Sequence, residues 1–373
     1  SRRHTADLQL DTRIGTSKRL TAKAIGSAFD RTIGSNMFGG ETVKAQQVSY
    51  YSELAYVAKH PRNDLVLGVN FNGNRIRSRS QALAVPEEDH RTIGLFAQND
   101  WRLMPKMTIQ TGLRTDFNNR YGTFVLPRLS VLYRVSPSLT TRVGGGMGYK
   151  IPGVFEGEVD ERDYPYLRSF ITKAERSSGG NVDVNFRRKL GDAELTVNQS
   201  FFVTRITNAV VPVTAGGYVS FYNTDAARPV ISKGAESYVQ VNADELEIYL
   251  GYTLTDAVRR YDAAHPHVPL SARNKFASVV SYEFSERFRA CIEAAATGRQ
   301  YLEDGTRTPA YLFAAAMVRY DIRGLSLVLN CENLLDYRQP GPLYVGFREN
   351  PQFRELWAPI DGRVVNLSAR LRW

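Results

Sequence analysis

The sequence predicts an all-β fold, specifically a transmembrane antiparallel β-barrel with short turns at one end and long loops at the other. Three observations lead to this prediction: an alternating final strand, a regular series of turns, and the lack of any apolar run long enough for a membrane helix. A strand with lipid on one side and water on the other alternates apolar and polar residues with a period of two.

The last ten residues, 364–373, show this alternation most clearly. One face is apolar and the other polar, with Val365, Leu367, Ala369, Leu371 and Trp373 opposite Asn366, Ser368, Arg370 and Arg372. A final strand that ends on an aromatic residue is similar to the assembly signal of bacterial outer-membrane β-barrels. We therefore assign that signal to Leu367, Ala369, Leu371 and Trp373, with the barrel assembly machinery as its partner. A soluble β-sandwich that ends on an amphipathic strand is the alternative.

The bulk composition excludes a helical membrane protein. The mean hydropathy is −0.33, and no stretch approaches the roughly 18 apolar residues that a membrane helix needs. The net charge of +10 raises the question of nucleic-acid binding. The arginines, however, are spread along alternating strands rather than gathered in one stretch, so we predict no nucleic-acid partner. A barrel lumen lined with arginine fits this distribution better.

Alternation and turn signals together predict about 17 strands. Short turns are predicted at 103–106, 135–138, 189–192, 242–244, 284–287 and 321–324, and long loops at about 151–177, 257–271, 301–309 and 336–361. In an outer-membrane barrel the short turns are periplasmic and the long loops extracellular. The regular alternation of short turns and long loops along the chain therefore predicts localisation in the outer membrane of a Gram-negative bacterium.

The number of strands also bears on where the chain begins. If the final strand runs towards the periplasm, the first predicted strand, about 3–14, runs the same way. A complete single-chain barrel has an even number of strands and begins in the other direction. We therefore expect that 1–373 is one domain, the C-terminal part of a larger barrel. The chain also opens without the apolar segment of a signal peptide, as a mature or truncated protein does.

The two cysteines, Cys291 and Cys331, are predicted to point to opposite faces of two non-adjacent strands. Such thiols are too far apart for a disulfide, so we expect both to be unpaired. No spacing typical of a zinc or redox site is present, and we predict no cofactor.

Several short segments resemble the barrel of TonB-dependent outer-membrane receptors. The similarity runs from about Asp89 to the end and is carried by segments in the family's order and spacing. These are Gly94–Trp101 (GLFAQNDW), Gly112–Asp116 (GLRTD), Pro127–Ser130 (PRLS), Gly148–Pro152 (GYKIP), Gly234–Glu236 (GAE), Asn333–Asp336 (NLLD) and Gly362–Arg363. The resemblance implies that about 17 of about 22 barrel strands are present, without the N-terminal plug and the TonB-coupling box.

The resemblance also implies a function, the energised import of a scarce ligand. The ligand would bind extracellular loops and plug, and the TonB–ExbB–ExbD complex would act through the missing plug. Outer-membrane lipid and lipopolysaccharide would surround the barrel. A ferric siderophore is the most favoured ligand, with cobalamin or an oligosaccharide as alternatives within the family. A passive porin is the alternative outside it. No nucleophile–base arrangement can be found, so we do not expect an enzyme.

Candidate ligand-binding residues lie in the long loops. Aromatic rings offer stacking area, and arginine pairs with carboxylate or catecholate oxygens; the last loop supplies Tyr337, Arg338, Tyr344, Phe347, Arg348, Phe353 and Trp357. Anchoring at the membrane interface with lipid and lipopolysaccharide is the favoured alternative for these aromatics. His265 and His267 are candidates for contact with a metal or haem, or else ordinary loop residues.

Two further groups complete the predicted sites. An acidic loop carries Glu156, Glu158, Asp160 and Asp163, carboxylates of the type that bind Ca²⁺. Because no ligand spacing is fixed, a solvated acidic loop is the favoured alternative. Polar strand residues predicted to face the pore or the plug are Arg114, Asp116, Arg128, Arg134 and Glu332.

Overall fold

The fold is all-β. The structure is a computed structural model that describes residues 1–34, 42–80, 85–153, 166–341 and 355–371, together with the backbone of 344–345 and 352–353. No α-helix occurs in these ranges. Accordingly, none of the described residues forms a helix that would be long and apolar enough to span a membrane.

Seventeen strands belong to one sheet, in agreement with the number predicted. They are β1 (Arg2–Ile14), β2 (Lys18–Gly34), β3 (Thr42–Lys59), β4 (Asn63–Ser78), β5 (Glu88–Met104), β6 (Met107–Asn118), β7 (Gly122–Ser136), β8 (Leu139–Lys150), β10 (Glu175–Leu190), β11 (Ala193–Thr207), β14 (Val230–Ala243), β15 (Leu246–Arg259), β16 (Asn274–Ser285), β17 (Phe288–Thr297), β18 (Tyr311–Ile322), β19 (Leu325–Glu332) and β22 (Val364–Leu371).

Five short strands lie within the loops. They form a three-stranded sheet of β9 (Leu167–Ser169), β12 (Val210–Ala215) and β13 (Tyr218–Asn223), and a pair of β20 (Tyr344–Val345) with β21 (Gln352–Phe353).

Short turns join the strands at one end of the hairpins. The predicted turns are confirmed at 105–106, 137–138, 191–192, 244–245, 286–287 and 323–324, and two more occur at 15–17 and 60–62. Gly15, Gly191 and Gly324 have positive φ values at these turns, where an L side chain is disfavoured. The chain therefore reverses after each pair of strands with little connecting length.

The longer connections lie at the other end of the hairpins, as predicted. They cover 151–174, 260–273, 298–310 and 333–363. The predicted loop at 257–271 began too early, because β15 continues to Arg259, which pairs with Val230. The connection 208–229 was not predicted as a loop, since the alternating residues of β12 and β13 have the same pattern as sheet strands.

The chain folds into two compact units, which are described separately. Unit 1 comprises Ser1–Leu132, Gly144–Gly180 and Arg205–Pro229, and unit 2 comprises Tyr133–Val143, Asn181–Thr204 and Val230–Trp373. In unit 1, β1 to β6 pair as consecutive antiparallel hairpins. In unit 2, β14 to β19 pair in sequence and β22 pairs with β19.

The sheet of unit 1 has an apolar face and a polar face. Large apolar side chains such as Leu8, Leu67, Leu95 and Leu113 are exposed on the first face. Exposed apolar surface of this extent on a soluble monomer is uncommon, whereas a lipid-facing strand requires it. We call this surface the apolar face of unit 1.

The buried apolar cluster of unit 1 lies among its loops. It consists of Val43, Val85, Leu167, Ile171 and Phe221, and Ile33, Ala45, Tyr121, Val210 and Val219 pack against it. Burial of these side chains fastens the β9–β12–β13 sheet to the loop ends of β2 and β3. We call it the loop core.

The cysteine prediction is confirmed. Cys291 pairs with Met317 of β18, and Cys331 pairs with Ala316 of the same strand. Met317 and Ala316 are neighbours and therefore point to opposite faces of β18. Both cysteines are free.

The C-terminal strand β22 has the predicted alternation. It pairs in register with β19, so that Leu367 lies opposite Leu329, and Leu367 is 72% exposed. Ala369 and Leu371 are also exposed. Trp373, the last residue of the predicted assembly signal, lies outside the described residues, and the assignment of that signal stays a prediction.

Candidate functional site: a loop cluster in unit 2

Three loops of unit 2 meet at the end of the strands opposite to the short turns. We call them loop A (260–273), loop B (298–310) and loop C (333–363, described at 333–341 and 355–363). Five of the predicted ligand-binding residues lie in these loops. They are His265, His267, Tyr337, Trp357 and Arg338, the last of which is exposed.

Arg259, the last residue of β15, ties loop A to loop B. The residue is 5% exposed. Nε donates to the backbone oxygen of His265 at 2.8 Å, and Nη1 donates to Oε1 of Glu303 at 2.5 Å. Nη2 also lies 3.3 Å from Oδ2 of Asp262. A guanidinium group has enough donors in a fixed plane to hold several acceptors at once.

Loop B is in turn tied to loop C. The backbone N–H of Glu303 donates to both carboxylate oxygens of Glu355, at 3.1 and 3.0 Å. The side-chain amide of Gln300, which is buried, donates to the backbone oxygen of Trp357 at 3.0 Å. The three loops are thus joined by polar contacts made largely to backbone atoms.

Loop C is fastened internally by two buried amide side chains. Oε1 of Gln339 accepts from the backbone N–H of Trp357 at 2.9 Å, and its Nε2 donates to the backbone oxygen of Glu355 at 3.0 Å. Asn333, at φ +49°, donates from Nδ2 to the backbone oxygens of Tyr337 and Asp361 at 2.8 and 3.1 Å. Asn333 thereby closes the loop that begins at the NLLD segment.

The aromatic side chains of the cluster pack against one another. Tyr337 stacks on Tyr311 with ring centroids 5.3 Å apart and an angle of 11° between the planes. Trp357 lies tilted on Tyr311 at 6.1 Å. Two residues predicted from loop composition are therefore brought together by Tyr311, a residue that sequence reasoning missed. Its position at the start of β18 made it resemble any other strand aromatic.

Both predicted histidines lie in this cluster. His267 stacks on Tyr301 with centroids 4.1 Å apart, and Arg307 lies over the same Tyr301 ring at 5.2 Å. His265 lines a cavity of about 160 Å³ together with His267, Tyr301 and Asp304. Tyr301 was not predicted from the sequence, since one aromatic in a short loop carries no distinguishing pattern.

Three aspartates of the loops are held in their charged form. The amide of His265 donates to Asp262 and lowers its pKa, and the amide of Thr306 does the same for Asp304. The pKa of Asp336 is lowered by the amide of Arg363 and by the guanidinium of Arg338, which lies 3.1 Å away. Burial raises the pKa of Tyr261 and Tyr337. The loop cluster therefore presents ionised carboxylates and neutral phenols at neutral pH.

The predicted acidic metal loop is not tested by the structure. Among the residues that the structure describes, no three His, Cys, Asp or Glu side chains come together as a metal site. Glu156, Glu158, Asp160 and Asp163 lie outside the described residues, as do Phe347 and Arg348 and the side chains of Tyr344 and Phe353. Roles for all of these stay predictions.

A second polar cluster lies on the polar face of unit 1 and contains two of the predicted pore-facing residues. Asp116 is 1% exposed, and Nε of Arg114 donates to both of its oxygens at 2.8 and 2.9 Å. The hydroxyl of Tyr149 donates to Oδ2 of Asp116 at 2.7 Å, and Nη2 of Arg114 donates to Asn70 at 3.3 Å. The charge of Asp116 is thus neutralised and hydrogen-bonded, as a buried carboxylate requires.

Glycine and aromatic residues complete this cluster. A side chain at Gly94 would collide with Asn70 and Asp116, so the glycine of the GLFAQNDW segment allows the polar groups to meet. Tyr149 stacks on Phe124 at 3.8 Å with nearly parallel rings. Of the other predicted pore-facing residues, Arg128 shares the face of Phe124 on β7, Arg134 lies further along β7, and Glu332 ends β19 opposite Val364.

Comparison with known proteins identifies a family. The profile of the TonB dependent receptor-like β-barrel family matches residues 1–334. No curated protein matches the chain.

Several solved structures share the fold. The siderophore receptor PirA from Acinetobacter baumannii is 12% identical with a TM-score of 0.73, and the match covers 99% of this chain and 62% of PirA. The FrpB iron transporter from Neisseria meningitidis is 13% identical with a TM-score of 0.76, and the match covers 98% of this chain and 62% of FrpB. The copper transporter OprC is 14% identical with a TM-score of 0.76, and the match covers 100% of this chain and 65% of OprC. This chain therefore spans less than two thirds of the length of each of these proteins.

Proposed function

The chain belongs to the family of TonB-dependent receptor-like β-barrels, and from that premise we propose that it forms the barrel of a receptor that imports a small-molecule ligand across the outer membrane of a Gram-negative bacterium. The family consists of receptors and transporters and not of enzymes. Energy would come from the TonB–ExbB–ExbD complex through a plug domain.

We further propose that the ligand is a ferric siderophore. The loop cluster of unit 2 carries this proposal, because it combines stacked aromatic rings with arginine on loops that are fastened to one another. A ferric siderophore is a bulky complex with exposed oxygen atoms and often aromatic groups, to which rings and guanidinium groups are complementary. PirA is named a siderophore receptor and FrpB an iron transporter, which supports iron as cargo.

Individual residues receive proposed roles. Tyr337 and Trp357 would contact the ligand through their rings and Arg338 through its exposed guanidinium group. Tyr344, Phe347, Arg348 and Phe353 would extend the same surface. His265 and His267 would border it, since His267 already stacks on Tyr301.

The pore-facing residues would act on a plug rather than on the ligand. Arg114 and Asp116 neutralise each other, so they would offer a plug hydrogen bonds more than net charge. Arg128, Arg134 and Glu332 would line the same polar side of their strands.

The test is a fluorescence titration of the protein expressed from its whole coding region and purified in detergent. The panel contains catecholate, hydroxamate and carboxylate ferric siderophores, haem and cobalamin. We expect saturable quenching by one siderophore class with a Kd below about 1 μM, or about −8 kcal/mol. Trp357→Phe should remove most of the quenching, whereas Trp101→Phe, at the turn end of β5 in unit 1, should retain it.

Two further measurements complete the test. Arg338→Gln should weaken binding of the anionic complex about tenfold, and cellular uptake of radioactive iron from it should stop when TonB is deleted. Binding of haem or cobalamin alone would contradict the siderophore proposal while preserving the receptor. Ion conductance in planar bilayers without saturable binding of any panel member would favour a passive porin instead.

A further inference from the structure

Two sulfur-containing side chains face each other on neighbouring strands of unit 2. Cys291 of β17 lies directly opposite Met317 of β18. Residues that oppose each other across an antiparallel pair lie on the same side of the sheet, with Cβ atoms about 4.5–5.5 Å apart. The cysteine therefore has a second sulfur atom within reach, although the two residues are distant in the sequence.

The strand register places this pair on the polar side of the sheet. Ser281 of β16 lies opposite Cys291, and Asn330 of β19 lies opposite Met317; we call this side the polar face of unit 2. Ile292, the residue after Cys291, points to the other side and is 60% exposed, as a lipid-facing side chain is. Both sulfur-containing residues are half-buried, so an ion on the polar side can reach them.

The charges along the same two strands favour a cation at the pair. Arg289, two residues before the cysteine on β17, pairs with Glu283 at 2.8 Å. Arg319, two residues beyond the methionine on β18, pairs with Asp321 at 2.7 Å. Glu293, at the next position of the polar face on β17, is exposed and adds a negative charge. A cation bound between the sulfur atoms is therefore attracted by its surroundings.

Two sulfur atoms in this arrangement can share one metal ion. A metal–thiolate bond is about 2.3 Å long, so an ion between two sulfur atoms holds them at most about 4.6 Å apart. That separation is close to the Cβ spacing of a cross-strand pair. The rotatable bonds of methionine let its Sδ adjust to the position of the ion. Thiolate and thioether sulfurs are soft ligands that select Cu⁺, an ion that is stable in low coordination.

The pair does not suit harder ions. Zinc sites need several nitrogen, sulfur or oxygen ligands, and Ca²⁺ needs a shell of oxygen atoms. In the part of the chain that the structure describes, no three His, Cys, Asp or Glu side chains come together. A zinc or calcium ion at the sulfur pair would therefore have too few ligands.

We propose that Cys291 and Met317 bind a soft monovalent metal ion, Cu⁺, on the polar face of unit 2. The ion bonds to Sγ of the cysteine and Sδ of the methionine, the thiol proton leaves to water, and the oxidation state of the metal does not change. The site lies about 10 Å along β17 from the start of the strand at the short turn 286–287. Loops A to C lie at the opposite end of the strands, so the site is separate from the proposed ligand surface.

The test is a competition titration of Cu⁺ with bicinchoninate. It uses the ligand-free protein, expressed from its whole coding region, reduced and kept free of oxygen. We expect one bound Cu⁺ whose affinity falls at least about a hundredfold in Cys291→Ser and about tenfold in Met317→Leu, since thiolate is the stronger of the two soft ligands. Leucine is close to methionine in volume, so Met317→Leu preserves the packing. An equal concentration of Zn²⁺ should not displace the Cu⁺.

The other cysteine and a distant methionine provide matched controls. Cys331 lies opposite Ala316 and Val365 on the other side of the sheet, away from the sulfur pair. Met147 is exposed on β8 of unit 1. Cys331→Ser and Met147→Leu should therefore each bind Cu⁺ with the affinity of the unaltered protein.

Alkylation by a maleimide gives a second measurement, which needs no substitution at the site. Bound Cu⁺ should protect Cys291 from alkylation, as detected by peptide mass spectrometry, and leave the alkylation of Cys331 unchanged. X-ray absorption at the copper edge should show sulfur neighbours and no nitrogen neighbours. Both results follow from an ion held by one thiolate and one thioether.

Each other result overturns the proposal. Equal affinity in Met317→Leu would show adventitious binding to a single thiol, and unchanged affinity in Cys291→Ser would place the ion elsewhere in the protein. Displacement by Zn²⁺, or alkylation of Cys291 in the presence of Cu⁺, would contradict a soft two-sulfur site. Since no siderophore is present, these results are independent of the outcome of the ligand titration.

Discussion

In unit 1 the loops are held by apolar side chains, whereas in unit 2 they are held by polar ones. The loop core buries Leu167, Ile171 and Phe221 against strand residues. The loop cluster of unit 2 instead relies on Arg259 and on buried amides such as Gln339, which contact backbone atoms. Both regions lie at the ends of long strands away from the short turns, so the difference stems from loop composition.

Under the proposed function, this difference would separate a region that stabilises loops from one that recognises a ligand. Apolar burial involves no ionisable group and leaves few polar groups for a solute to contact. Under the proposed function, polar fastening to backbone atoms would leave the rings of Tyr337 and Trp357 and the guanidinium of Arg338 to contact the ligand. It also makes loops A to C dependent on particular hydrogen bonds, each worth about 1 kcal/mol.

The largest effect is expected in the loop core. Phe221→Ala removes a ring that is 4% exposed and should destabilise the β9–β12–β13 sheet by about 3–5 kcal/mol. Hydrogen exchange of the β12 and β13 amides measures this loss as faster exchange. Val213→Ala, at an exposed position of the same hairpin, is the control and should change exchange little. Unaltered exchange in Phe221→Ala would contradict the loop core as the source of stability.

A smaller effect is expected for the link between loops A and B. Arg259→Gln removes contacts to His265 and Glu303 and should weaken the association of the loops by about 2 kcal/mol; Glu303 is largely exposed, so its charge is not left buried. Exchange of the loop A and loop B amides should accelerate together. The neighbouring Arg260→Gln, at an exposed position, should leave both loops as they are. Acceleration in loop A alone would show that Arg259 does not join the two.

Gly305 tests the wall of the histidine cavity. Its φ is +81°, and a side chain there would lie against His265. Gly305→Ala should cost about 1–2 kcal/mol and displace the His265 ring, which NMR of labelled histidine detects. Gly191 also has a positive φ, +65°, but open space around it, so Gly191→Ala isolates the backbone strain. If both variants lose the same stability and neither shifts the His265 signals, the contact between residue 305 and His265 does not contribute to the effect.

The smallest effect concerns pH. The folded pKa of Asp262 is lowered by the amide of His265, and that of Asp336 by the amide of Arg363. A lowered folded pKa stabilises the loops fully above the unfolded value of about 3.9 and less as pH falls through the folded value. Loops A and C should therefore become more susceptible to an acid protease near pH 3 than at pH 5, while the loop core does not. In Asp262→Asn this change should disappear from loop A, and its persistence there would disprove the assignment.

The sheet was predictable because its signals are local. Alternation along the chain and residues such as Gly191 and Gly324 at turns specified strands and short connections within a few residues. The hairpin of β12 and β13 was missed, since its alternation serves a small sheet under the loops rather than the large one.

The candidate site was predictable only in part. Loop composition pointed to Tyr337, Trp357, His265 and His267, and the structure brings these into one cluster. Their organisers, Arg259 and Tyr311, were not found, because the partners of Arg259 include Glu303, far away in the sequence. Such contacts depend on which loops meet, and strand order determines that.

The most direct test of the account is hydrogen exchange on the whole protein with and without the ferric siderophore that binds it. Protection should increase in loops A to C, including the amides of Glu303, Tyr337 and Trp357, and stay unchanged at Leu167, Ile171 and Phe221 of the loop core. Protection that appears in the loop core and not in loops A to C would contradict the assignment of the ligand site to unit 2.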